Sequence, residues 1–450
     1  MLDLAAYCET IDRLPRGRYA GHITEIVGLT VGARGVQVPM GELCRLAMRS
    51  GKDYLAEVVG YRDGATLLLP LDDTSGLEAG ALVAPLGRRL SVNCGDFLLG
   101  RVVDALGHPT DGGPELPRGF EADTFRSAPS PLDRMPIDKA MPTGVSTIDG
   151  LLTVGDGQRM GIFAGSGVGK STLLSTIARE CKADVNVIAL IGERGREVKE
   201  FIEKALGPAG LARSVVVVAT SDAPALLRYK AAFTATAIAE YFRDRGKSVM
   251  VMMDSVTRLA NAVREIGLSL GEPPTVKGYP PSFFSMMPKL VERLGRTKVG
   301  SITGLLTILV DADDMNEPVA DTMRGLLDGH IVLSRKIASR GTYPAVDVLT
   351  SVSRVMDAVT TKEQTALARA VREHMAVYED ARDLISVGAY KPGTDPKIDA
   401  ALGAQPAIEK LVKQPQGAGR SFDETTKLLA AAAGTRSEPK APLRAPVRRA

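Results

Sequence analysis

One stretch of the chain, Ala164-Gly165-Ser166-Gly167-Val168-Gly169-Lys170-Ser171-Thr172, has the residue types and spacing to hold a chain of phosphates. Glycines let the backbone wrap an anion without a Cβ clash, and the amides then point inward. The stretch follows an apolar run ending at Phe163 and precedes a helical run, Leu173 to Arg179. A helix starting there adds its positive end to the same site. Lys170 is placed to reach the β and γ phosphates and Ser171 to hold Mg²⁺. The strict pattern has Gly where this chain has Ala164, a departure of one methyl group. A Gly-rich turn alone is compatible with a purely structural role; Lys-Ser between a strand and a helix favours nucleotide, so ATP and Mg²⁺ are the expected ligands.

Hydrolysis needs three further groups, and each has a candidate. Ser248 to Met253 reads as a buried strand that ends in Asp254, 84 residues after Lys170. A carboxylate at the C-terminal end of such a strand orders the Mg²⁺ shell, through water. An Asp after an apolar run is common by chance, so the weight comes from its distance along the chain from Lys170. Val187 to Ile191 is a strand followed at once by Gly192-Glu193-Arg194-Gly195-Arg196-Glu197. Glu193 then stands at the top of the sheet, in reach of a water in line with the γ phosphate; the alternative is an acid that only favours a helix N-terminus. Positive charge on the transferring phosphoryl is the last requirement. Arg354, in Ser351-Val352-Ser353-Arg354-Val355-Met356, is a candidate, but by its residues alone it is equally a surface ion-pair residue.

The elements that must position these groups fall into successive regions. Residues 1–18 fit either a short amphipathic helix or a frayed segment docked on its own domain. From Gly21 to Gly87, short β-rich runs (His22 to Val27, Gly35 to Val38, Tyr54 to Gly60, Thr66 to Leu71, Ala81 to Ala84) are separated by turn residues, which suggests a small closed β-barrel. Cys94 to Pro142 is rich in Gly and Pro and reads as loop or linker. From Pro142 to Val359, near-continuous apolar strands (Arg159 to Phe163, Val185 to Ile191, Val215 to Ala219, Val249 to Met253, Ile302 to Val310, His330 to Leu333) alternate with helical segments. That is a parallel α/β core covered on both faces. After Met356 the pattern is helical, with a capping box at Thr361-Lys362-Glu363-Gln364 and a stripe through Leu367, Val371, Met375 and Tyr378. The expected domains are 1–90, 91–359 and 360–434, with 435–450 a disordered basic tail rather than an interaction arm.

Composition narrows the function. The chain has 450 residues, 44% hydrophobic and 24% charged, as in a soluble globular protein with a large core. Aromatics are 4% with no Trp, which argues against a surface for stacking bases, and a net charge of +3 implies no general polyanion field. Cys8, Cys44, Cys94 and Cys181 lack metal-ligand spacing and read as reduced, packed thiols in a cytoplasmic protein. No signal peptide and no membrane span is expected.

Further motifs extend the series: Asp254-Ser255-Val256-Thr257-Arg258, Gly271-Glu272-Pro273-Pro274, Lys277-Gly278-Tyr279, Asp313 to Pro318, Asp328 to Arg335, and Tyr343-Pro344-Ala345-Val346-Asp347. Together with the segments above they resemble the rotary-ATPase superfamily, and within it the type III export ATPases of the flagellum and injectisome. The resemblance runs from about residue 20 to 430. It implies a β-barrel, a RecA-like ATPase core with a mostly parallel sheet, and a C-terminal helical domain, closed into a homohexamer with nucleotide between protomers. It further implies Glu193, Lys170 and Arg354 as catalytic, Arg354 being an arginine finger offered to the neighbour's site. Gly165, Ser166, Gly167, Val168, Gly169, Lys170, Ser171 and Thr172 would bind nucleotide, with Ser171 and Asp254 at Mg²⁺. Tyr343 matches the adenine-stacking position, the alternative being a tyrosine buried against Pro344. Departures are modest: Leu259 and Asn261 stand where an aromatic and a small residue are more usual, and Asp311-Ala312 where Glu-Gly is usual.

The implied partners are a coiled-coil stalk, a peripheral regulator at the N-terminal segment, and export chaperones with their substrates. Specific nucleic acid is not expected, and the implied location is cytoplasmic and peripheral at the inner-membrane export apparatus. Flagellar service is favoured over a virulence or symbiosis injectisome. Among the rivals, a noncatalytic rotary subunit lacks the catalytic Glu, whereas this chain holds both Glu193 and Arg354, which suits a homohexamer better than an alternating synthase ring. A hexameric RNA translocase would need aromatics on the barrel, where residues 1–87 offer only Tyr7, Tyr19, Tyr54 and Tyr61.

Overall fold

The computed structural model describes residues 20–310 and 314–434; the expected first helix, Asp311-Ala312 and the basic tail lie outside the described residues. Six strands, β1 (Gly21–Val27), β2 (Thr30–Arg34), β3 (Glu42–Ala47), β4 (Asp53–Arg62), β5 (Ala65–Pro70) and β6 (Leu82–Arg89), close into a barrel in the order β1-β2-β5-β4-β3-β6. Ile23, Val31, Cys44, Leu46, Val58, Leu68 and Val83 fill its interior. The run expected at Gly35 to Val38 is not a strand. Its strand lies earlier, at β2, and Gly35, with φ +80°, ends it. Val36 nevertheless packs inside the barrel. Strand β3 was not expected, because Glu42 and Arg45 break its apolar run; Arg45 points outward while Leu43, Cys44 and Leu46 are buried.

The stretch read as linker supplies two strands and the end of a third. β7 (Ser91–Cys94) pairs with β9 (Phe120–Asp123), and β8 (Val102–Asp104) pairs in parallel with the core. Three residues are too few for a periodicity signal. Beyond it stand β10 (Arg159–Ala164), β11 (Val185–Ile191), β12 (Ser214–Ala219), β13 (Ser248–Asp254), β14 (Gly295–Arg296), β15 (Ser301–Leu309), β16 (Gly329–Leu333) and β17 (Val346–Ser353). The nine-stranded sheet among the described residues runs β17-β16-β10-β15-β13-β11-β12-β8, with β14 against β15. It is parallel except at β14 and at β17, an antiparallel edge strand where the sequence marked only a domain edge.

Helices cover both faces, which is why every residue of β11 is buried. α1 (Ser146–Leu151) and α2 (Lys170–Glu180) lie on one side; after β11 comes the short α3 (Gly195–Glu200), and α4 (Ala225–Arg243) and α5 (Val256–Ser269) take the other side. The C-terminal helices are α6 (Lys362–Ser386), α7 (Pro396–Val412) and α8 (Phe422–Ala432). Thr361 accepts the Gln364 amide at 3.1 Å, as the capping box requires. Val371, Ile408, Leu411 and Leu429 join the apolar cluster that contains Leu174 and Ile177 of α2. The C-terminal helices thus share a core with the helix that begins at Lys170.

Candidate active site

The loop between β10 and α2 carries Gly165 to Gly169, and α2 begins at Lys170 itself. Gly167 and Gly169 have φ of +79° and +90°, conformations that side-chain-bearing residues avoid. Ser166, Gly167 and Ser171 are exposed, whereas Val168 is buried and anchors the loop in the core below. Gly165 has a second reason to be Gly: a Cβ there would lie 2.7 Å from an Arg335 guanidinium nitrogen. The bare backbone, the left-handed turns and the start of an eleven-residue helix together make an anion cradle.

Three charged side chains meet beside it. Lys170 Nζ ion-pairs with Asp254 and lies 3.7 Å from Glu193 Oε1. They come from three places: Lys170 follows β10, Asp254 ends β13 and Glu193 follows β11. β15 lies between β10 and β13, and its Thr307 donates to Asp254 Oδ1 at 2.8 Å, fixing the carboxylate. All three therefore stand at the C-terminal ends of parallel strands, where α/β folds bind ligands. Burial raises the pKa of Glu193, the charge of Asp254 adds to it, and Lys170 opposes it. Gly192 permits this arrangement, since a Cβ on it would lie 2.8 Å from Cβ of Arg258. Ser171, Thr172, Glu193 and Asp254 line one cavity of about 520 Å³.

The donor set fits both expected ligands. A hydroxyl at the helix start and a carboxylate across the same cavity are the pair that Mg²⁺ uses alongside phosphate oxygens. On the other flank of α2, Tyr343 lies against Gly169, its ring carbons 3.5 Å from where a Cβ would stand. Val145, Leu173, Thr176, Tyr343, Gln414 and Pro415 are among the residues lining a second, mostly apolar hollow there. A flat aromatic beside the phosphate cradle suits a nucleobase. Sequence reasoning did not reach Thr307, Val145 or Gln414. Nothing local marks them; they matter only for what the fold puts opposite them.

Arg354 stands apart from this cluster. Its backbone N–H donates to the Asp328 carbonyl at 3.0 Å, and Asp328 in turn ion-pairs with Arg159 at 2.9 Å. Arg159 opens β10, whereas the phosphate loop follows the other end, roughly 20 Å away by strand rise. The Arg354 side chain is exposed and, among the described residues, donates a hydrogen bond to the Arg324 carbonyl at 3.3 Å. An arginine so placed cannot touch a nucleotide held by its own chain.

Three family models match the chain. The beta-barrel domain of the ATP synthase alpha/beta family covers residues 23–87, its nucleotide-binding domain covers 144–353, and the EscN ATPase C-terminal domain of type III secretion covers 360–431. The flagellum-specific ATP synthase of Bacillus subtilis (strain 168) is 52% identical over 417 residues, 92% of this chain and 95% of that protein. A type 3 secretion system ATPase of Xanthomonas euvesicatoria is 49% identical, over 92% of this chain and 94% of its own. Among solved structures, the assembled ATPase EscN in complex with its central stalk EscO, from the enteropathogenic E. coli type III secretion system, matches with a TM-score of 0.85. It is 44% identical and covers 92% of this chain and all of that one (100%).

Proposed function

The chain belongs to the ATP synthase alpha/beta family, in its type III export branch, and from that premise we propose that it hydrolyses ATP in a homohexameric ring that energises protein export. The observation that carries the chemistry is the convergence of Lys170, Glu193 and Asp254 on one side of an anion cradle. Amides of Gly165 to Gly169 and the first turn of α2 bind the phosphates, and Lys170 neutralises the β and γ oxygens. Ser171 and Asp254 would hold the Mg²⁺ shell, which when bound would supply Lewis-acid charge withdrawal at the phosphates. Glu193 orients the attacking water, its carboxylate kept partly dry by burial. Tyr343 stacks on the adenine. Arg354 of one protomer completes its neighbour's site by stabilising charge on the transferring phosphoryl.

Flagellar service is the reading we adopt, with substrates unloaded from chaperones and unfolded for export. The 49% identity to a type 3 secretion system ATPase supports injectisome service as the second reading. A central stalk, such as the one in the EscN–EscO structure, is the proposed axial partner. A peripheral regulator at the N-terminal segment and chaperones at the C-terminal helices complete the set, and a cytoplasmic, membrane-peripheral location follows from them. Among the described residues no helix is long and apolar enough to cross a membrane. Glu193→Gln is the test of the chemistry. Nucleotide affinity should stay within about threefold while turnover falls by roughly 10²–10⁴. Undiminished turnover would remove Glu193 from the mechanism.

A further inference from the structure

Gln414 is 5% exposed, yet it belongs to the loop after α7, in the C-terminal helical region rather than the core. Its backbone N–H donates to the Tyr343 carbonyl at 2.8 Å. Its Oε1 accepts from Ser146 N at 2.9 Å and from Ser146 Oγ at 3.0 Å. Its Nε2 donates to the Gly144 carbonyl at 2.8 Å and to that of Ala418. One residue thus ties three parts together: its backbone holds the segment that presents Tyr343, and its side chain holds the start of α1 that presents Val145 and its own loop. Arg420 repeats the linkage, donating from its backbone to Gly144 O at 3.0 Å and from Nη1 to Ser146 Oγ at 2.9 Å. Gln414 lines the hollow beneath Tyr343, whereas the residues of the phosphate-end cavity do not include it.

We propose that Gln414 is a positioning residue for the nucleobase, stapling the C-terminal helices to both walls of the base hollow so that base affinity, and not phosphate affinity, depends on their docking. The proposal rests on the assignment of this hollow to the base. Truncating the side chain takes the acceptor from the buried Ser146 N–H and leaves the Gly144 carbonyl with the Arg420 N–H alone, and a buried N–H left so moves or admits water. Val145 and Tyr343, on those walls, line the base hollow and not the phosphate-end cavity. The cradle of Gly165 to Gly169 is held instead by β10, α2 and the Arg335 contact.

The test uses the full-length protein as wild type, Gln414→Ala and Gln414→Glu. The Glu variant keeps the acceptor for Ser146 and loses the donor to Gly144. Affinities for Mg·ATP and for Mg·tripolyphosphate, which has phosphates and no base, are measured by calorimetry, alongside KM and kcat. In Gln414→Ala, ATP affinity should fall about tenfold, the equivalent of one buried hydrogen bond, and tripolyphosphate affinity should stay within about twofold. KM should rise while kcat at saturation holds within about threefold, and Gln414→Glu should fall between. Parallel loss of both ligands, or unchanged ATP binding in both variants, would overturn the proposal. Wild type that binds tripolyphosphate as tightly as ATP would instead remove the base-site assignment beneath it.

Discussion

Burial raises the pKa of two carboxyls in this chain for different ends. Glu193 faces the cavity with Lys170 and Asp254, where a basic carboxylate is useful to an attacking water. Asp149, in α1, is held by the loop that precedes the helix: it accepts Thr143 N at 2.8 Å, Thr143 Oγ1 at 2.7 Å and Gly144 N at 3.0 Å. Burial outweighs those bonds and pushes its pKa to about 6. Between the unfolded value near 3.9 and about 6, the folded chain holds a proton that the unfolded chain has released. Stability from this group is therefore greatest at low pH and is lost as pH rises through that window, by roughly 3 kcal/mol in all. The denaturation midpoint of wild type should gain on that of Asp149→Asn as pH falls from 7 to 4; a difference flat in pH would show that Asp149 does not titrate there. Legibility at this scale followed local context. Lys170, Ser171 and Asp254 were found because a strand end or a glycine loop announces them. Thr307 and Gln414 were not, because their partners lie 53 and 268 residues away.

Among elements, the long apolar strands of the core were readable because burial on both faces leaves an unbroken signature. β3, β8 and β17 were not. β3 carries outward charge, β8 has three residues, and β17 alternates polar and apolar because it is an edge. The joint between barrel and core was equally hidden, since it depends on residues far apart. Lys230 of α4 is fully buried and ion-pairs with Glu57 of β4, its ammonium 4.1 Å from the centre of the Phe125 ring. Burial lowers the pKa of Lys230 against the pull of Glu57. Removing one partner strands the other charge. Lys230→Met should cost about 3–5 kcal/mol, and adding Glu57→Leu should recover most of it. Thermal denaturation of the two variants checks this; equal loss in the single and double variants would mean that packing, not charge, holds the joint.

For the whole molecule, the distance between Arg354 and its own phosphate loop would leave the isolated chain incomplete under the proposed mechanism. Activity per chain should climb with protein concentration as assemblies form, read by turnover beside light scattering. Arg354→Ala should reduce turnover by about 10³ or more. Mixing it with Lys170→Ala should restore part of the rate, because each variant retains the half-site that the other lacks. A flat, full activity in a stable monomer, or no recovery in assemblies shown to be mixed, would rule out a finger supplied by a neighbour.

β17 gives this incompleteness a direction. The strand leads from Tyr343, beside its own chain's base hollow, down the sheet edge to Arg354 at the opposite end. It pairs with β16 at both ends, with a bulge between His330 and Val332. In the closed ring proposed above, each copy of this strand would have its head at one site and its foot at the next, and every copy would point the same way round. Such a ring would read differently clockwise and anticlockwise.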